Sequence, residues 1–201
     1  MQSMETRDPY GAALGAVRQF AEAGRFVPGE PIVVTELAAE VGLSATPVRE
    51  ALACLAGEGL IERRRGRGYF YPALGASDVI DLFELQLAYL HAALTVHPRG
   101  LAPLRKAVAS INVRDGVQAV YDAIIVHAAN SALTQAHQRL SHRLGAVLRA
   151  ERLSDEAAAD TVDLMVRAVS QGEIGDLLGL LERHHDKRCA RAAAWLFSLE
   201  R

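Results

Sequence analysis

The chain has 201 residues, 50% hydrophobic and 23% charged, with a net charge of −2. That length and mixture fit one large or two small globular domains, each able to bury a core. Bulk charge gives no warrant for a nucleic-acid partner, so a DNA-binding surface must come from local clustering of arginine and lysine.

Residues 1–9 are polar and without periodicity, and a frayed, disordered end is expected there. From Tyr10 to Ala23 the apolar positions Leu14, Val17, Phe20 and Ala21 follow helical spacing. Gly24 and Pro28-Gly29 stop that helix. The β-branched stretch Ile32-Val33-Val34 ends at Thr35, an expected N-cap for a helix over Glu36–Val41. Gly42 closes it, Leu43 anchors a turn, and Ser44 caps a further helix from about Thr46 to Gly57. Pro47 sits in the first turn of that helix, where its missing N–H costs nothing, and Val48, Ala51, Leu52 and Leu55 form the buried stripe.

After Gly59, the run Arg63-Arg64-Arg65-Gly66-Arg67-Gly68 followed by Tyr69-Phe70-Tyr71 reads as a β-hairpin with a dense positive tip. Two short helices across a glycine turn, then a hairpin, make a winged helix-turn-helix. Pro72–Ser77 is a joint of small residues. Beyond it everything reads as helix: Asp78–Thr95 with Ser77 as its cap, a break at His97-Pro98-Arg99-Gly100, then segments near Leu101–Ala109, Gly116–Ala129, Ser131–Arg152, Asp155–Gln171 and Glu173–Leu199. Ser154, with Glu156 and Ala157 behind it, reads as the start signal of the helix from Asp155. The expected fold is mainly α: a winged helix-turn-helix over residues 10–73, a linker at 74–77, and an all-α bundle over 78–201.

The second helix of a helix-turn-helix lies in the major groove and presents its N-terminal residues to base edges. Here those are Ser44, Ala45, Thr46, Pro47 and Arg49, with Arg49 able to grip guanine through two hydrogen bonds and Thr46 able to meet a thymine methyl or a phosphate. Arg63, Arg64, Arg65 and Arg67 would neutralise phosphates, and Gly66 and Gly68 would let the backbone come close to the duplex.

The ordered run Leu43-Ser44-Ala45-Thr46-Pro47-Val48-Arg49-Glu50-Ala51-Leu52, then Leu55, Glu58-Gly59-Leu60-Ile61 and Gly66-Arg67-Gly68, resembles the GntR superfamily of transcriptional regulators over about a third of the chain. The resemblance implies that these positions contact a short palindromic operator in double-stranded DNA, bound by a homodimer. Ala45 departs from it where relatives usually carry arginine, as does Thr35 where they often carry a basic residue, so the operator itself is expected to differ.

The helical remainder resembles the FadR-type sensor domain, through helix order, length and the stretch Ala128-Ala129-Asn130-Ser131-Ala132-Leu133. That resemblance implies a small organic effector. In many such domains one Asp and three His hold a divalent metal that in turn holds a carboxylate. Here the four ligand positions carry Val117, Tyr121, Val162 and His184, and the effector-clamping arginine is Gln86. The expectation is therefore no metal or other cofactor, and a more apolar pocket lined by Gln86, Tyr89, Val117, Tyr121, Asn130, Val162 and His184. No other metal site is expected. His137 and His142, five apart, splay on a helix, and adjacent His184 and His185 cannot share a cavity.

Cys54 and Cys189 lie far apart without ligand spacing and read as small, buried, reduced helix residues. No signal-peptide pattern opens the chain and no apolar run is long enough for a bilayer, so a cytoplasmic protein with no membrane partner is expected. The alternative reading is a winged-helix protein-interaction module with a degenerate sensor domain, but such a platform has no need of the arginine constellation. An enzyme is not expected, because no nucleophile elbow, phosphate loop, dinucleotide fingerprint or catalytic dyad is present.

Overall fold

The computed structural model describes residues 8–95, 100–154 and 158–199. The expected frayed end, apart from Asp8 and Pro9, lies outside them, as do the break at His97–Arg99 and the Asp155–Ala157 part of the helix-start signal. The chain divides between Leu74 and Gly75 into two compact units.

In the first unit, α1 (Pro9–Glu22) opens on the Asp8 carboxylate, which accepts the Tyr10 N–H at 3.1 Å. Ala13, Val17 and Ala21, four residues apart, bury one face of it. Strand β1 is only Pro31–Ile32, and α2 (Val34–Val41) starts earlier than its sequence suggests, with Val33 at the cap. Thr35 is thus a first-turn helical residue rather than the cap. The Leu37 N–H already bonds the Val33 carbonyl at 3.0 Å, which draws the β-branched run into the helix. Gly42 then takes a left-handed φ of 67°, open to glycine at little cost, and Leu43 N–H closes back onto the Ala38 carbonyl at 3.0 Å. This turn aims α3 (Ala45–Gly57), whose Val48, Ala51, Leu52 and Leu55 are wholly buried. Burying each such leucine is worth about 1.5–3 kcal/mol, so this stripe holds α3 against α1 and α2. The hairpin β2 (Glu62–Arg64) and β3 (Gly68–Phe70) pairs antiparallel, and β1 joins on the far side of β3, giving the order β1-β3-β2.

The second unit is helical: α4 (Ala76–Thr95), α5 (Ala102–Val108), a single 3-10 turn at Val113–Asp115, α6 (Val117–His127), α7 (Ser131–Ser154), α8 (Ala158–Gln171) and α9 (Ile174–Leu199). Ser77 lies inside α4, not at its cap. The opening is closed by Asp78, whose carboxylate accepts the Gly75 N–H at 2.8 Å. Ser154 ends α7 and accepts the Trp195 indole N–H at 2.8 Å. The core is aliphatic, built around Leu90, Leu104, Ile124, Ile125, Met165, Leu177 and Leu181. Helix α9 packs on α4, α7 and α8, and α4 also packs on α6 and α7. Among the described residues no helix is long and apolar enough to cross a membrane. Both cysteines lie on helices and are free thiols, half-buried rather than buried.

Candidate nucleic-acid interface and a buried polar centre

Helix α3 presents its first turn outward. Ser44, Thr46 and Arg49 are exposed, while Ala45 and Pro47 are half-buried. Ser44 stands at the cap position without making a capping bond from its side chain, and Thr35 is exposed on the first turn of α2.

In the hairpin, side chains alternate between the two faces of the ribbon. Glu62, Arg64 and Phe70 share one face: Arg64 bonds both Glu62 oxygens, at 3.0 and 2.8 Å, and its guanidinium carbon stacks 4.1 Å from the Phe70 ring centre. The bond from Arg64 holds the Glu62 carboxyl below its usual range. Arg63 and Tyr69 are cross-strand partners on the other face, where the Tyr69 hydroxyl donates to the Arg49 carbonyl of α3 at 3.4 Å. Gly66 and Gly68, with φ of 73° and 92°, turn the tip. Arg63, Arg65 and Arg67 are exposed, and Arg64 is half-buried in its pair. At the other end of α3, Glu58 takes both oxygens to the Arg18 guanidinium of α1, the closer at 2.8 Å.

The helical unit distributes the expected pocket residues differently. Val117 and Val162 belong to the aliphatic core, and Tyr89 packs at its edge. Asn130 is the N-cap of α7, its side-chain oxygen accepting the Leu133 N–H at 3.1 Å. Gln86, Tyr121 and His184 do converge, and they converge on a residue absent from the expectation, Arg188, which is 3% exposed.

The Arg188 Nη1 donates to Gln86 Oε1 at 2.6 Å. Its Nε lies 2.9 Å from Glu151 Oε1, an ion pair whose N–H is not aligned for a hydrogen bond. Its guanidinium carbon stacks 4.0 Å over the Phe83 ring, itself edge-on to Trp195. The Tyr121 hydroxyl and His184 Nδ1 are 2.8 Å apart. Glu151 also lies 3.7 Å from His184 Nε2, but burial, then Arg188, Lys187 and His185, outweigh it and push the ring down to about 3. Burial likewise pushes the Tyr121 phenol up. The Gln86 amide nitrogen reaches Gln118 and His137, each at 3.3 Å, and His137 Nδ1 lies 3.6 Å from the exposed Asp122. The centre is therefore charged as well as hydrogen-bonded, where the sequence suggests a pocket more apolar than in relatives with Gln86, Tyr121, Asn130 and His184 as its polar points.

These residues do not fit a divalent metal. Val117 and Val162 carry no lone pair, and among the described residues no three His, Cys, Asp or Glu are placed to hold an ion.

The residues that sequence reasoning passed over had a signal. On α9 the buried positions Leu177, Leu181, His184, Arg188, Ala192 and Trp195 form one continuous stripe. An arginine inside an apolar stripe must meet a partner from another helix, as must Gln86 on the stripe of α4 and His137 on that of α7.

A helix-turn-helix with an arginine-tipped wing, carried ahead of a helical unit, defines a DNA-binding transcriptional regulator. The sequence profile described as "Bacterial regulatory proteins, gntR family" matches residues 9–70. An "Uncharacterized HTH-type transcriptional regulator in the TAR-I ttuE-ttuC' intergenic region" of Agrobacterium vitis is 30% identical over 122 residues, 61% of this chain and 71% of that protein. The chain belongs to the gntR family. Three further curated regulators match over 29 to 37% of their own lengths. Among solved structures, a putative GntR transcriptional regulator from Rhodococcus sp. RHA1 shares the fold with a TM-score of 0.73 at 17% identity, over 92% of this chain and 97% of that one. E. coli McbR/YncC does so with a TM-score of 0.68 at 19% identity, over 96% and 98%.

Proposed function

We propose that the protein is a sequence-specific repressor that binds a palindromic operator as a homodimer and responds to a small organic effector. In this reading residues 10–73 bind DNA, 74–77 form the linker, and 78–201 carry the effector and dimer functions. The observation that carries it is the exposed first turn of α3 joined to the arginine-tipped wing through the Tyr69–Arg49 contact. Ser44, Thr46 and Arg49 are the base and phosphate contacts of the recognition helix, and exposed Arg63, Arg65 and Arg67 supply the sequence-independent attraction to phosphates. With Ala45 half-buried and no basic residue at Thr35, discrimination rests on Arg49 more than on its flanks. A palindrome follows from the two-fold symmetry of a dimer, with half-sites about one helical turn apart.

Selection of bound duplexes from random DNA, followed by titration of the winner at two salt concentrations, tests this reading. A short palindrome bound well above random DNA is the expected result. Failure to enrich any motif, with weak binding lost at moderate salt, overturns it.

A further inference from the structure

Of the five positions that the FadR-type resemblance assigns to metal ligands and an anion clamp, Val117 and Val162 lie in the aliphatic core, while Tyr121, His184 and Gln86 bear on one pair of side chains of this chain. Gln86 bonds Arg188 directly, Tyr121 lies under the guanidinium at 5.9 Å, and His184 stands between Tyr121 and Glu151. Those contacts gather α4, α6, α7 and α9 around a single buried positive charge and a single carboxylate.

We infer that Arg188 is a built-in cation and Glu151 its built-in anion: together they do the cross-linking that a divalent metal and a bound acid would do, so the helical unit holds its centre together without either. The geometry supports each half. A guanidinium is planar and permanently charged, with five donors, so one arginine can engage partners on several helices at once where an ammonium cannot. Arg188 does so, with Gln86 and Phe83 on α4, Tyr121 on α6 and Glu151 on α7. Glu151, whose side chain is 13% exposed, already stands where an outside carboxylate would have to sit to meet that charge. Two opposite charges buried together satisfy each other, whereas removal of one strands the other in a poor solvent. The inference concerns the chemistry of the helical unit and does not depend on the operator.

The test uses the full-length chain and its thermal unfolding midpoint. For the wild type, chelator, zinc, nickel, manganese and sodium formate are all expected to leave the midpoint where it is. Glu151→Ala opens a space beside an uncompensated guanidinium, so its midpoint is expected to fall and to be restored in part by formate, a carboxylate small enough to enter. Sodium chloride at equal ionic strength should not restore it. A merely structural loss of packing would not respond to formate in this way. The double variant Arg188→Met, Glu151→Met removes both charges and is expected to unfold at a higher temperature than either single methionine variant. Stoichiometric metal that raises the wild-type midpoint overturns the inference. So does a folded Glu151→Ala protein that formate does not stabilise. Should that variant not fold, a double variant no more stable than the worse single one overturns it.

Discussion

Arginine is put to opposite uses in the two units. Arg49, Arg63, Arg65 and Arg67 stand in water near the start of a helix and along a hairpin and its tip, and the frame beneath them is a wholly buried Val48–Leu55 stripe, a left-handed glycine turn, and a tyrosine tying hairpin to helix. Arg188 is sealed among four helices and met from all sides by groups of its own chain. The first arrangement leaves charge for another molecule to neutralise; the second leaves none over. Stability and recognition are thereby separated. Exposed charges can change to suit a new operator at little cost to folding, while a change at the buried pair is felt by the whole bundle.

That contrast can be broken most directly at Arg49. Arg49→Ala is expected to weaken operator binding on the order of 10- to 100-fold, narrowing the gap between operator and mismatched DNA, with no change in the unfolding midpoint. Equal affinity for both duplexes in variant and wild type would remove α3 from its reading role.

Acid probes the other unit. The folded state holds His184 neutral down to about 3, against 6.5 in the unfolded chain, because burial and then Arg188, Lys187 and His185 disfavour its protonation. Between those values the unfolded chain takes up the proton first, so the stability due to this group is complete above pH 6.5 and is lost as pH falls towards 3. His137, lowered mainly by burial, acts in the same direction. His184→Asn should flatten the fall of the unfolding midpoint across that window; an unchanged slope would mean that the neutral ring contributes nothing.

Within the wing the four arginines are expected to separate by salt dependence. Arg65→Gln should flatten the slope of log affinity against log salt by about one, as loss of one neutralised phosphate requires. Arg64→Gln should flatten it less, because that guanidinium is committed to Glu62 and Phe70. Identical slopes for the two variants would show that the pair opens on DNA. The smallest effect is expected at Ala129, which holds a left-handed φ of 47° before the α7 cap. Ala129→Gly should relieve that strain and stabilise the bundle by about 1 kcal/mol in urea unfolding, without touching DNA binding.

The first unit was legible because its signals are local. Gly42, Pro47, Gly66 and the Val48–Leu55 stripe each act within a few residues of where they are read. Even there the β-branched run Ile32-Val33-Val34 divides: Ile32 pairs with β3, while Val33 caps α2 and Val34 enters it, so β-branching alone does not place the boundary. The polar centre was half legible. Resemblance points to Gln86, Tyr121 and His184, but not to Arg188 and Glu151, which give them meaning. The Gln86–Arg188 bond spans 102 residues and the Gln86–His137 contact 51, and nothing in the periodicity of one helix says which stripe of another it will face.

Arg188 and Glu151 are carried by the same polypeptide, so their encounter is unimolecular, and no concentration enters its equilibrium. A centre assembled from a dissolved ion and a dissolved acid fills and empties with the supply of each. This one is at full occupancy from the moment the chain folds, in dilute solution as in a crowded cell, and starvation for metal leaves it unchanged.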